Sequence, residues 1–223
     1  MALDNAYVNE IFRQLGYFAA WAPDTSYDLG DYGSMDGKQF EKLGNIKKWI
    51  SPKAKSEGGS DNDYIYYTST GSVNVTSSVG AKDASGSAEV SVNISFSREN
   101  SIFFLAQRVT TIKTGNLERV GDKLVDVYKQ KGKDWRLSYV WIEEIKQAAQ
   151  LQVVISQSSS ASIKLSGRAQ VGAGGIVGIN FGGLATVKKN AVVEFRGDHK
   201  TPLLRLYEVK DPITKKAFYT EYR

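Results

Sequence analysis

Between residues 71 and 82 the chain alternates with period two. Val73, Val75, Ser77, Val79 and Ala81 hold the odd positions, and Ser72, Asn74, Thr76, Ser78, Gly80 and Lys82 hold the even ones. After a turn signal at residues 83–86 the pattern returns as Ala88, Val90, Val92, Ile94 and Phe96, set against Ser87, Glu89, Ser91, Asn93, Ser95 and Ser97. Successive side chains of a strand point to opposite faces. The two arms therefore predict a β-hairpin with one apolar and one polar face.

A second such stretch covers residues 151–173. Leu151, Val153, Ile155, Ala161, Ile163, Leu165, Ala169, Val171 and Ala173 share one parity, with Gln152, Ser156, Ser162, Lys164, Ser166, Arg168 and Gln170 on the other. Gly172, Gly174 and Gly175 permit a reversal, after which Val177, Ile179, Phe181, Ala185 and Val187 face one way and Gly178, Asn180, Gly182, Thr186 and Lys188 the other. As one strand, residues 151–173 would span roughly 75 Å at about 3.3 Å per residue. That exceeds an ordinary strand several-fold, so a water-soluble fold must break it or fold it back. A pattern longer than one fold uses is what a second, extended state requires.

Each arm of the first hairpin has about 11 residues, the length of a tilted strand crossing a bilayer core. One parity offers Val, Ile, Ala and Phe to lipid; the other offers Ser, Asn, Thr and Lys to a water-filled lumen. Backbone groups in hydrocarbon must all be paired, which implies a closed barrel built from several chains. The expected membrane-inserting residues are Val73, Val75, Val79, Val90, Val92 and Ile94, then Ile163, Leu165, Ala169, Val171, Val177 and Ile179. On this reading Val75→Asp or Val92→Asp leaves folding nearly intact and abolishes membrane damage. A half-exposed antiparallel sheet with a serine-rich outer face alternates in the same way, so a non-lytic β-rich interaction domain, part of a larger assembly, stands beside it.

Helical spacing occurs twice. Tyr7, Val8, Ile11, Phe12 and Leu15 fall on one face before Gly16, and Leu117, Val120, Leu124 and Tyr128 repeat the spacing before Gly132. Residues 51–63 are rich in Gly, Ser and charge and read as a mobile loop. The class expected is α+β in a single domain over residues 1–223: a twisted antiparallel sheet with a few helices, and two long amphipathic hairpins able to extend into a transmembrane β-barrel.

Composition narrows the chemistry. The 223 residues contain no cysteine, which removes disulfides, thiolate catalysis and S-acylation. A net charge of +5 and a pI near 9.2 favour polyanions, whether nucleic acid or an anionic membrane face. No apolar run reaches the roughly 18 residues of a transmembrane helix, and residues 1–16 lack the layout of a signal peptide. The expectation is a cytoplasmic protein that acts at the inner face of the cell membrane.

In their order, Arg13-Gln-Leu-Gly-Tyr17, Pro23, Leu29-Gly-Asp31 and Phe40-Glu-Lys-Leu-Gly-Asn45, then Gly174-Gly-Ile-Val-Gly-Ile179, Asn190-Ala-Val-Val-Glu-Phe195 and Leu203-Leu-Arg-Leu-Tyr-Glu-Val209, cover most of the chain. They resemble the amino-terminal, pore-forming region of gasdermins, including their short bacterial relatives. The resemblance implies a twisted sheet with helices, activation by release of an inhibitory carboxyl-terminal part, binding to anionic lipid, and assembly of a homo-oligomeric barrel pore in lytic cell death or antiviral defence. It places lipid binding on Lys47, Lys48, Trp49, Lys53 and Lys55, where each lysine contributes on the order of 1 kcal/mol beside an anionic leaflet and a Trp suits the interface. A solvated loop is the plain alternative for that cluster. Two departures stand out. Bacterial members often carry an acylated cysteine near the amino terminus, absent here, and only residues 210–223 follow the last matching strand. Those residues make a short regulatory tail, with Lys215 and Lys216 as the candidate cleavage site for an activating protease. Control by assembly or by a partner protein is the other route.

Other chemistries find little footing. Residues 172–178 are one residue off a dinucleotide fingerprint, and no helix pattern follows. His199 is the single histidine and has no second imidazole or thiol to join. Glu143 and Glu144 are adjacent, so on a strand they face opposite sides. Tyr64, Tyr66 and Tyr67 lie near lysines, yet core or sheet packing accounts for them without nucleic acid. No cofactor, metal or enzymatic activity is expected.

Overall fold

Tyr7, Val8 and Ile11, spaced as one helical face, are fully buried under α1 (Leu3–Leu15). Gly16, at φ +71°, ends that helix by donating its N–H to the carbonyl of Phe12 at 2.9 Å. In the same way α2 (Leu117–Lys129) buries Val120, Leu124, Val125 and Val127. This computed structural model describes residues 3–82, 87–130, 134–172, 175–180, 186–189, 192–211 and 218–223.

Alternation and β-branching put most of the remainder into strands: β1 (Phe18–Ala19), β2 (Asp31–Asp36), β3 (Gln39–Asn45), β4 (Ala54–Gly58), β5 (Tyr64–Thr68), β6 (Val73–Lys82), β7 (Ser87–Phe96), β8 (Ile102–Thr114), β9 (Val140–Ser156), β10 (Ser162–Gly172), β11 (Gly175–Asn180), β12 (Thr186–Lys189), β13 (Val192–Lys210) and β14 (Phe218–Glu221). The fold is mixed α+β and mostly antiparallel, and the described strands form open sheets rather than a closed barrel. Contacts divide the chain into two compact units. The first holds Met1–Gly59, Val109–Gln150 and Gly197–Arg223; the second holds Ser60–Arg108 and Leu151–Arg196.

In the first unit the strand order is β1-β13-β9-β2-β3, with β14 also on β13 and β4 on β8. One core gathers Phe18, Tyr27, Phe40, Val140, Ile142, Ile145, Leu204 and Leu206; another places Tyr32, Ile46 and Trp141 with the inner face of α2. Residues 51–63, expected as a loop, contain a strand: Ala54 to Gly58 pair with Thr114 to Thr110. Composition hid this because every residue of β4 is exposed, so ladder hydrogen bonds rather than burial hold it. The tail carries structure too, since β14 pairs with residues 207–210 of β13 and Tyr222 donates its N–H to Leu206.

In the second unit the two hairpins form one five-stranded sheet, ordered β11-β10-β7-β6 with β12 also beside β10. The stretch 151–173 is broken as its length required: β9 ends at Ser156 and β10 begins at Ser162. Leu151 is interior to β9, which starts upstream at Val140. Val92, Ile94, Phe96, Ile163 and Leu165 of the hairpins pack on Phe103 of β8 and Val154 of β9.

Candidate functional site

The basic turn is built on a corner of β2 and β3. Gly30, at φ +82°, has no room for a Cβ, which would lie 2.9 Å from a side-chain carbon of Ile46. Gly33 is tighter still, because a Cβ there would meet the Glu41 carbonyl oxygen at 1.8 Å. These close approaches let the two strands pair from Asp31↔Asn45 to Asp36↔Gln39. Asp31 is fully buried; its carboxylate accepts from Asn45 Nδ2 at 2.9 Å and from the Asp28 N–H at 2.9 Å, and pairs with Lys42 Nζ at 2.7 Å. A buried carboxylate needs such a full set of donors. Asn45 then caps the 3-10 turn Ile46–Lys48, its Oδ1 accepting from the Lys47 N–H at 2.9 Å.

That corner presents the expected lipid-binding residues in two different ways. Lys47, Lys53 and Lys55 are exposed, with Lys55 on β4 opposite Lys113. Lys48 is exposed but engaged: its ammonium donates to the Tyr32 hydroxyl at 2.9 Å and sits 4.0 Å from the centre of the Trp49 ring. Trp49 is half-buried among aromatics, 5.3 Å from Tyr32 and 5.6 Å from Trp135 between ring centres. Its ring is a packing element of this state and does not project as an interfacial anchor. Beside Lys55, Glu57 accepts from Lys113 at 2.8 Å; that bond holds the Glu57 carboxyl below its ordinary range and the Lys113 ammonium above its own.

The hairpin sheet places most of the expected inserting residues in register. Val73 lies opposite Phe96, Val75 opposite Ile94, and Val79 opposite Val90; across the next pairing Ile94 meets Ile163 and Val92 meets Leu165. Val92, Ile94, Ile163 and Leu165 are buried and Val73 and Val75 half-buried. Val92→Asp therefore does not leave folding nearly intact, because it puts a carboxylate into a dry core. For Val79, Val90, Ala169, Val171, Val177 and Ile179 the backbone is described and the side chains are not. Their strands depart from strict alternation. A bulge between Gln170 and Val171 pairs Val171 with Ile176 and skips Val177. On β12 the register sets Val187 opposite Lys164 and Lys188 opposite Ile163, one residue out of step with the expected parity. Lys215 and Lys216 lie outside the described residues.

The remaining candidates resolve simply. Tyr64 and Tyr66 are in a strand, as sheet packing required, but on an edge with exposed rings, 64% and 49%, and are not core. His199 is exposed at φ +54°. Among the described residues no group of acidic, His or Cys side chains has metal-binding geometry. Glu144 is buried and takes Tyr17 Oη at 2.9 Å, Lys146 Nζ at 3.2 Å and Arg205 at 3.4 Å. Glu143, next to it and also buried, has its carboxyl pushed above the ordinary range, first by burial and then by the Glu144 charge. Alternation on β9 puts Lys146 on the same face as Glu144 but gave no hint of Tyr17 and Arg205, which come from distant segments.

The chain matches no protein-family model and no curated protein.

Proposed function

We propose that this protein is a gasdermin-like pore former: it binds anionic membrane through the basic turn, oligomerises, and inserts its two hairpins to permeabilise the bilayer. The observation that carries this reading is the five-stranded hairpin sheet. Its strands β6, β7 and β10 have 10, 10 and 11 residues, matching the roughly 9–11 residues of a tilted membrane-crossing strand. They are already antiparallel neighbours, the pairing each chain of a barrel must supply. Lys47, Lys53 and Lys55, exposed together on residues 47–55, give the first electrostatic contact with an anionic leaflet. The protein is cytoplasmic when inactive and sits on the inner face of the cell membrane when active. Release is triggered by a protease acting in residues 210–223, or by a partner protein.

The test is dye release from phosphatidylglycerol–phosphatidylcholine vesicles against phosphatidylcholine vesicles, with the intact chain and with the chain trimmed near Lys215. Release confined to the anionic vesicles is the expected result; none in any condition from folded protein removes the proposal.

The second reading is a non-lytic interaction domain. It draws on the burial of Val92, Ile94, Ile163 and Leu165 against Phe103 and Val154, since an ordinary sandwich core covers its apolar face in this way. In that case the edge of β6 that is open among the described strands pairs with a strand of another protein.

A further inference from the structure

Three connections lead into the hairpin sheet among the described residues: residues 69–72 between β5 and β6, residues 97–101 between β7 and β8, and residues 157–161 between β9 and β10. Serine hydroxyls tie the first two to each other and to Ser156, the last residue of β9 before the third. Ser101 Oγ donates to Ser72 Oγ at 2.8 Å, and Ser72 Oγ donates in turn to the Ser69 carbonyl at 3.2 Å. The Ser101 N–H donates to Ser156 Oγ at 3.0 Å, and that hydroxyl donates to the Arg98 carbonyl at 2.6 Å. Ser69 Oγ receives the Ile102 N–H at 2.9 Å. All four serines are buried, and Asn100, beside them, is at φ +60°.

We propose that this hydroxyl knot is the joint that holds the hairpin sheet folded back, and that its opening lets β7 run straight into β8 and β9 into β10. The inference rests on the pore-forming reading and adds its conformational switch. The chemistry suits a joint. Hydroxyl–backbone bonds hold a bend that side-chain packing alone would leave loose, yet each is exchanged for a water bond at small net cost. They also share a member: Ser101 serves Ser72 with its hydroxyl and Ser156 with its N–H, so a shift at Ser101 is felt both at the start of β6 and at the end of β9. The apolar hairpin face cannot leave Phe103 and Val154 while these crossings stay bent, because the crossings fix where β6 and β10 start and where β7 ends.

The natural absence of cysteine makes the test clean. Ser72→Cys/Ser101→Cys replaces two oxygens 2.8 Å apart with thiols within easy reach of a disulfide. On phosphatidylglycerol–phosphatidylcholine vesicles the oxidised variant is expected to bind, by co-flotation, as the wild type does, and to release no dye; reductant restores release. Dye release at the wild-type rate from the cross-linked protein overturns the joint. Failure of both wild type and reduced variant to release dye overturns the pore-forming reading beneath it. If the double variant does not fold, Ser101→Ala decides: a shorter lag before release supports the joint, and an unchanged or longer lag refutes it.

Discussion

Asn45 donates its side-chain amide to the buried carboxylate of Asp31 at 2.9 Å, and with its own carbonyl oxygen accepts the N–H of Lys47. One residue thus joins the most buried charge of the β2–β3 corner to the turn that displays the basic cluster. Asn45→Ala leaves Asp31 Oδ1 without that donor and uncaps the turn. A loss of about 1–3 kcal/mol is expected, read as a lower urea midpoint with an unchanged slope. A midpoint equal to wild type would show that water replaces the amide at no cost.

Lys47, Lys53 and Lys55 are exposed, whereas the Lys48 ammonium is held by Tyr32 and Trp49 packs among aromatics. Replacing all three with Gln is expected to leave thermal stability within about 0.5 kcal/mol and to weaken partition onto anionic vesicles by about a hundredfold, at roughly 1 kcal/mol per charge. Raising the salt concentration should shrink the difference. Trp49→Ala is expected to do the reverse, lowering stability while leaving salt-dependent binding largely in place. If the lysine variant binds as the wild type does, the basic turn is not the membrane contact.

Much of the architecture was legible from period and punctuation. Both helices, the first hairpin and the break in residues 151–173 follow from spacing and length, because one buried face dictates register there. What stayed hidden has a common cause. β4 has no buried residue to mark it; β12 slips by one residue where Val187 meets Lys164; and Trp49 is claimed by aromatics from residues 32 and 135. Each depends on partners distant in sequence. The motif around Leu29-Gly-Asp31 and Gly44-Asn45 marks the same limit, since its residues act first to build the corner and only then to present a surface.

Glu143 should give the fold an acid preference. Its folded carboxyl holds a proton more tightly than an unfolded one, owing to burial and then to the charge of Glu144. The group therefore favours the folded state fully below the ordinary carboxyl range. That advantage is lost as pH rises through the raised folded value. Glu143→Gln removes the titration, so its stability relative to wild type should increase with pH across this window and level off above it. Thermal melts of both proteins over an acid-to-neutral series measure this directly; parallel curves would mean that Glu143 titrates as it does in water.

Ser77 and Ser78 offer the sharpest separation between a membrane strand and an ordinary sheet. Both are exposed and sit mid-strand on β6, Ser77 opposite Val92 and Ser78 opposite Ser91. Because both are solvent-facing here, Ser77→Arg and Ser78→Arg should each alter folding stability by no more than about 0.5 kcal/mol. In an inserted barrel they part company. Ser77 shares the parity of Val73 and Val75 and would face lipid near the bilayer centre, where an arginine costs about 2–4 kcal/mol in every chain. Ser78 shares the parity of Asn74 and Thr76 and would face the lumen, where a charge is tolerated. Dye release should therefore be abolished in Ser77→Arg and retained in Ser78→Arg, with both variants equally folded and equally bound to vesicles. Equal release from the two would mean that β6 does not cross the bilayer in this register, and the alternation would then belong to a sheet that keeps its apolar face on Phe103 and Val154.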